Sequence, residues 1–334
     1  VRRLVLLAAL AVAVELAWHH ETRYPLRSAA APPLALMIPP GSSVAAIGRQ
    51  LQGLGLVRHP LVFRALVTLR GAAARLKAGS YELAGPLSLE QIVELLVRGD
   101  VVRNDVTFPE GRNLEEMAGL VSEHGLEREA FLAAARDPGP IRDLDPEARD
   151  LEGYLFPDTY DVPERADAAP ALVARMVGRF REVMLPQRDL LVASGLGLRQ
   201  AVTLASLVEL ETALPEERPR IAAVFLNRLK KGMRLQTDPT VIYAMRKAGR
   251  WDGNIRKQDL DLDSPYNTYR NAGLPPGPIA SPGRESLLAV LQPAPVRDLY
   301  FVSRNDGSHE FSETLAQHER AVGRYQRRGS GSRG

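Results

Sequence analysis

The 334-residue chain is 45% hydrophobic and 25% charged, with a formal net charge of +3 and no cysteine. That composition excludes a disordered protein, and the missing thiols exclude disulfides, thiolate nucleophiles and Cys-based metal sites. The basic residues are nearly all arginine, the lysines being Lys77, Lys230, Lys231, Lys247 and Lys257; this disfavours aldimine chemistry, and their dispersal along the chain disfavours a nucleic-acid partner.

Arg2 and Arg3 precede an apolar run from Leu4 to Trp18 broken only by Glu15. The Arg pair favours an N-terminus left in the cytoplasm, so residues 1–20 are expected to form a transmembrane anchor with the rest of the chain outside. A cleaved signal peptide competes, because the run is shorter than the roughly 20 residues of an ideal span. No clear small-x-small cleavage site closes the run, which favours the anchor, and the absence of a polar face counts against a buried soluble helix. Residues 21–33, rich in Pro, Ala and Arg, read as a linker.

Structured sequence follows. Leu34 to Val57 has the pattern of a strand, a turn capped by Ser42 or Ser43, and an amphipathic helix. A helix is predicted over Pro60–Arg75, a strand over Ala78–Leu83, and a Ser88-capped helix through Arg98 stopped by Gly99. These elements predict a compact α+β module over residues 34–103. Val101–Phe108 reads as a further strand, turned by Pro109-Glu110-Gly111 into a helical segment near Leu114, and a larger mixed α/β unit over 104–326 begins here. Within it, Leu151–Tyr160 is an aromatic, turn-rich loop of the kind that lines clefts. Helices are expected over Ala169–Val183, Arg199–Ala213 and Glu216–Lys231, the last closed by Gly232. Residues 327–334 have nothing apolar to bury and read as a disordered tail.

Candidate chemistry concentrates in the larger unit. The helix containing Glu209 and Glu211 is otherwise apolar and small-residued; at about 100° per residue, Ala201, Leu204 and Val208 mark its buried stripe and Glu211 flanks it, with Glu209 further round. A carboxyl at that core edge should be desolvated and its pKa raised toward what a general acid needs. The competing reading is that both glutamates are solvated or paired with Arg218 and Arg220. Gln236, Thr237 and Asp238, and the loop Pro265-Tyr266-Asn267-Thr268-Tyr269, offer donors, acceptors and aromatic faces suited to sugars, although each loop alone is equally compatible with ordinary turn chemistry. His309 and His318 have no third partner at ligand spacing, so no metal is expected. No serine-hydrolase elbow, P-loop or dinucleotide fingerprint occurs.

Taken together, Glu152-Gly153-Tyr154-Leu155-Phe156-Pro157-Asp158-Thr159-Tyr160, Leu204 through Thr212, Val224-Phe225-Leu226-Asn227-Arg228-Leu229, Leu235-Gln236-Thr237-Asp238-Pro239-Thr240-Val241-Ile242-Tyr243 and Tyr266-Asn267-Thr268-Tyr269 resemble the YceG-like (MltG-type) endolytic murein transglycosylases. The resemblance runs from the N-terminal anchor almost to Tyr325. It implies that the module at 34–103 is LysM-like, that 104–326 is a catalytic domain in the periplasm, and that the anchor lies in the inner membrane. In that family the acid is the second Glu of a Glu-x-Glu-Thr segment, here Glu211, and Leu210 departs from the Lys that relatives often carry between the two. The implied reaction cleaves the bond between N-acetylmuramic acid and N-acetylglucosamine by a single acid/base without cofactor, leaving a 1,6-anhydro end. Glu152, Tyr154, Asp158, Gln236, Thr237, Asp238, Asn267 and Tyr269 are the expected substrate-binding residues. Peptidoglycan strands, with synthases nearby, are the expected partners. A non-catalytic peptidoglycan-binding scaffold and a hydrolytic muramidase with a second acid are the alternatives.

Overall fold

The computed structural model describes residues 2–39, 41–101, 104–162 and 167–326; the predicted tail lies outside them. The chain divides into two compact units, Val1–Asn104 and Asp105–Gly334.

The first unit opens with α1 (Arg2–Arg23), followed by β1 (Leu34–Ile38), α2 (Val44–Gly53), α3 (Pro60–Leu69), β2 (Gly79–Leu83) and α4 (Leu89–Arg98). α1 is long and apolar enough to cross a membrane: at 1.5 Å per residue it reaches about 33 Å, matching a hydrocarbon layer of about 30 Å. Its leucines at positions 4, 6, 7, 10 and 16 are exposed. The expected linker starts later than its sequence suggests, because no helix breaker occurs before Pro25. Residues 19–23 therefore continue the helix, with Thr22 fully buried at 0% exposure, Glu21 paired to Arg58 and Arg23 to Glu90.

β1 and β2 pair antiparallel, with Leu36 opposite Tyr81 and Leu34 opposite Leu83. The alternation of the two strands turns Leu36, Ile38, Tyr81 and Leu83 onto Ile47, Leu51, Phe63, Ile92 and Leu96 of the helices, as a two-layer α+β core requires. Ser43 caps α2, and Ser88 with Gln91 forms a capping box at α4. Gly99, with φ of 75°, ends α4 in the left-handed conformation. The helix predicted to reach Arg75 stops at Leu69, where Gly71 takes a φ of 59° and residues 73–75 form a short 3-10 turn.

The second unit contains β3 (Asp105–Thr107), α5 (Leu114–Glu123), α6 (Arg128–Ala135), β4 (Thr159–Asp161), α7 (Ala168–Met184), α8 (Arg188–Ser194), α9 (Leu198–Glu211), α10 (Arg218–Lys230), α11 (Asp238–Lys247), α12 (Arg284–Leu291), β5 (Tyr300–Ser303), β6 (His309–Ser312) and α13 (Leu315–Tyr325). It is a mixed α/β unit in which the described strands form only two-stranded antiparallel sheets, β3 with β4 and β5 with β6. Of the strand expected over 101–108, residues 102–103 lie outside the described residues and 105–107 form β3, with the aromatic loop at 151–160 supplying its partner, β4. α9 is the central element, packed against α10, α11 and α12. Every residue from Ala201 to Val208 is buried, so the stripe expected from helical periodicity is one side of a helix enclosed on all sides.

One close approach fixes the loops around α9. Gly153 has a φ of 81°, and a Cβ there would lie 2.5 Å from Pro278 Cβ and 3.0 Å from Val202 Cγ1. Only glycine suits both that backbone and that gap, which lets the 151–160 loop seat against the Pro-rich 275–278 segment and α9.

Candidate active site

α9 ends at Glu211, and Thr212 beyond it returns to extended backbone. The two glutamates at this end have different fates. Glu209 is buried and saturated: it accepts from Arg218 at 2.9 Å and from the Gly283 amide at 2.8 Å. Arg220, the other proposed partner, instead meets Asp298 at 2.6 Å. Glu211 has a single hydrogen-bond partner among the described residues, the Thr237 hydroxyl, which donates to its Oε1.

Glu211 opens onto a cleft of about 430 Å³ whose walls include Arg228, Gln236, Asp238, Tyr269, His309 and His318. It keeps partial access to solvent, as a group that must meet a ligand requires. Burial nevertheless pushes its pKa up to about 7; the Thr237 hydrogen bond opposes the rise, Asp238 adds to it, and His309 and Arg228 oppose it further. Such a carboxyl is poised to give a proton near neutral pH and take one back.

The surroundings of Glu211 are built by short-range chemistry. Thr237 stands at the N-cap of α11, but its hydroxyl serves Glu211 instead of the helix. Its backbone N–H donates to Thr268 Oγ1 at 3.1 Å. Thr240 Oγ1 donates to the Thr237 carbonyl at 2.7 Å and lies 2.9 Å from Thr268 Oγ1. With Thr240's hydrogen committed, Thr268 must donate to Thr240, giving a directed chain of hydroxyls behind the acid. Gln236 enters the cleft from a φ of 52°, a conformation that costs a non-glycine residue about 1 kcal/mol. Tyr269 donates to Asp238 Oδ1 at 2.6 Å, which places an aromatic face and a carboxylate side by side at the rim.

The opposite wall comes from the C-terminal region. Arg228 donates to the Leu299 and Leu235 carbonyls, each at 2.6 Å, and its guanidinium lies 5.2 Å from the Tyr300 ring centroid. Burial holds its pKa below the usual arginine value. His318 stacks on Tyr300 at 5.2 Å; burial first, then Arg228, lower its pKa. His309 Nδ1 lies 2.6 Å from Glu217 Oε2, and its backbone N–H donates to Glu217 Oε1 at 2.8 Å.

Of the residues expected to bind substrate, Gln236, Asp238 and Tyr269 line the Glu211 cleft and Thr237 lies directly beneath it. Four others lie elsewhere. Tyr154 is 1% exposed and gives its hydroxyl to Asp145 at 2.6 Å, so it presents nothing to a sugar. Asn267 is 0% exposed; its amide donates to the Leu260 and Leu262 carbonyls and its oxygen accepts the Tyr269 N–H. It shapes the loop that carries Tyr269 and does not reach the cleft. Asp158 pairs with Arg179 at 2.9 Å on the surface.

Glu152, 6% exposed, faces a different cavity, of about 600 Å³, whose lining includes Asn113, Tyr243 and Lys247. Burial, then Asp150, raise its pKa to about 8, but its oxygens already accept from the Leu114 amide at 3.2 Å and Tyr243 at 3.1 Å. A carboxyl so enclosed and so bonded is suited to locking the start of α5 to α11; Glu211, open to a cleft and singly bonded, is suited to proton transfer. Sequence reasoning did not anticipate Arg228, Glu217 or the cleft position of the two histidines. In sequence the histidines suggest only metal ligands, and the described residues contain no cluster able to hold a metal.

Comparison with known proteins gives a consistent picture. The YceG-like family matches residues 36–324. The endolytic murein transglycosylase of Bacillus subtilis (strain 168) is 34% identical over 304 residues, covering 86% of this chain and 83% of that protein. That of Streptococcus pneumoniae serotype 2 is 33% identical over 319 residues, covering 85% of this chain and 57% of its own length. The crystal structure of a YceG-like protein from Listeria monocytogenes superposes with a TM-score of 0.60 at 33% identity, covering 86% of this chain and 98% of that one. The chain belongs to the YceG-like family.

Proposed function

We infer that this protein is an endolytic murein transglycosylase, cutting peptidoglycan between N-acetylmuramic acid and N-acetylglucosamine and leaving a 1,6-anhydro end. The observation that carries the reading is Glu211: a carboxyl raised to about 7 at the mouth of a polar cleft, in a chain whose relatives bear that name.

The reaction follows from this geometry. Protonated Glu211 gives its hydrogen to the glycosidic oxygen as the bond to C1 breaks through an oxocarbenium-like state. The carboxylate so formed recovers a proton, that of the muramyl 6-hydroxyl, as this oxygen closes on C1. A two-carboxylate glycosidase would need a second acid at a set separation; Glu209, the nearest in sequence, is neutralised by Arg218, and Asp238, the carboxylate that shares the cleft, is engaged by the Tyr269 hydroxyl. Asp238 and Tyr269 hold sugar at the rim, with Gln236 beside them. Thr237 steadies the acid.

In this reading α1 anchors the chain in the inner membrane and the second unit works in the periplasm, close to the substrate as it is made; the length and apolar character of α1 support it. The first unit acts as a LysM-like module for glycan, and work on new strands brings the protein beside peptidoglycan synthases. The decisive experiment digests purified glycan strands with the full chain in detergent and weighs the product ends. Wild type releases anhydro ends and Glu211→Gln loses at least about 100-fold in rate, the lower range for a removed acid/base. Ends heavier by one water, or an active Glu211→Gln protein, overturn the reading.

A further inference from the structure

His309 and Glu217 form a pair that proton return to Glu211 alone does not use. Glu217 grips His309 twice, through the backbone N–H and through Nδ1, and the Phe301 ring packs edge-on against the imidazole at 5.4 Å. The ring is therefore fixed in place. In the neutral imidazole a carboxylate at Nδ1 assigns that nitrogen the hydrogen, which leaves Nε2 as an acceptor. Among the described residues Nε2 has no hydrogen-bond partner, and it is not among the buried polar atoms left unpaired. His309 lines the cleft that Glu211 opens onto. Glu217 also accepts from Thr212 at 3.3 Å, the residue directly after Glu211, so the pair is joined to the end of α9. His318, by contrast, is packed on Tyr300 with its Nδ1 buried and unpaired, and among the described residues no carboxylate hydrogen-bonds to that nitrogen.

Carboxylate, imidazole and an open nitrogen form the arrangement that activates a hydroxyl for attack. We propose that His309 is a second catalytic residue, receiving the hydrogen of the muramyl 6-hydroxyl at Nε2 and relaying it to Glu211, with Glu217 as its positioning residue. The proposal rests on the transglycosylase reading of the cleft and adds the route of the returning proton. The Glu211 proton leaves on the glycosidic oxygen, which keeps the electron pair of the broken bond. The C6 oxygen bonds C1, its proton passes to Nε2, and the imidazolium gives that proton to the Glu211 carboxylate. One proton leaves the carboxyl and one returns, and no water is consumed.

The test is the partition of product ends between anhydro and hydrolysed forms, which a purely structural role would not move. In His309→Gln the 6-hydroxyl is no longer held and activated, so water competes for C1. The ratio of anhydro to hydrolysed ends should fall about tenfold, the scale of one lost hydrogen bond of this kind, while cleavage is slowed but not abolished. Glu217→Gln, which keeps the imidazole and removes its orienting charge, should move the ratio in the same direction by less, and carries the test should His309→Gln fail to fold. An unchanged ratio in folded protein overturns the proposal. So does complete loss of cleavage, since a residue serving only ring closure leaves bond breaking by Glu211 intact. Wild-type protein that yields no anhydro ends would instead refute the transglycosylase reading of the cleft.

Discussion

Replacing Glu211 by glutamine should stabilise the folded protein at high pH and not at low pH. Its carboxyl rises from an ordinary 4.5 to about 7 on folding, so the folded state binds the proton more tightly than the unfolded one. The stability this contributes is complete below pH 4.5 and is lost as pH rises to 7. At 1.36 kcal/mol for each tenfold change in affinity, ionising Glu211 in place costs about 3 kcal/mol at pH 8 and above. Glutamine keeps the shape and the contact to Thr237 without titrating. The difference in stability between variant and wild type should thus grow by about 3 kcal/mol between pH 4.5 and pH 8, then level off. For a unit of this size that is a difference of about 6–12 °C in thermal midpoint. Glu152 also titrates high, but it is present in both proteins and cancels. The assay is a pair of thermal unfolding series from pH 4.5 to 8.5 on full chains in the same detergent. Parallel curves would mean that Glu211 is hydrated like any surface acid, and the argument for proton transfer from this position would fail.

Two more expectations bear on its surroundings. Thr237→Val removes a hydroxyl that stabilises the carboxylate form of Glu211, so the pKa that governs the acid should move further up and the activity profile should shift toward higher pH; a profile that stays put or moves down contradicts the assigned contact. Gly153→Ala forces a side chain into a left-handed backbone and against Pro278, and should cost about 1–3 kcal/mol, read as a lower denaturation midpoint; a neutral outcome would show that the 151–160 loop is not tightly seated.

The legible parts of the site are those within one element or one turn of each other. Helical spacing sets Glu211 at the edge of an apolar stripe, and the Glu-x-Glu-Thr resemblance is what singles it out there; Gln236, Thr237 and Asp238 are legible as adjacent polar side chains suited to sugar hydroxyls. What escaped was contact across sequence. His309 and Glu217 lie 92 residues apart, and no periodicity links them, so the histidine showed only its general capacity to bind metals. Asn267 misled for the opposite reason: an amide in a polar loop suggests a ligand contact, whereas here it satisfies backbone carbonyls inside the turn. Tyr154 misled likewise, since aromatic residues line clefts and fill cores with equal ease, and only packing against Phe180 and Asp145 decides which. The first unit was the most readable, because alternating strands and capped helices carry their own signals. Even there the end of α1 is hard to read, since nothing before Pro25 breaks the helix and its last turn is held by the ion pairs Glu21–Arg58 and Arg23–Glu90, which join residues distant in sequence.

The guanidinium of Arg228 ties two banks of the cleft with one rigid plane, reaching Leu299 at the foot of β5 and Leu235 ahead of α11. A lysine's point charge could not span both carbonyls, so the exchange would unfasten one bank from the other. With that fastening intact neither bank is free to swing outward by itself. A polymer entering must lie along the opening as it stands, which suits a long chain threading past better than a ligand that has to be swallowed.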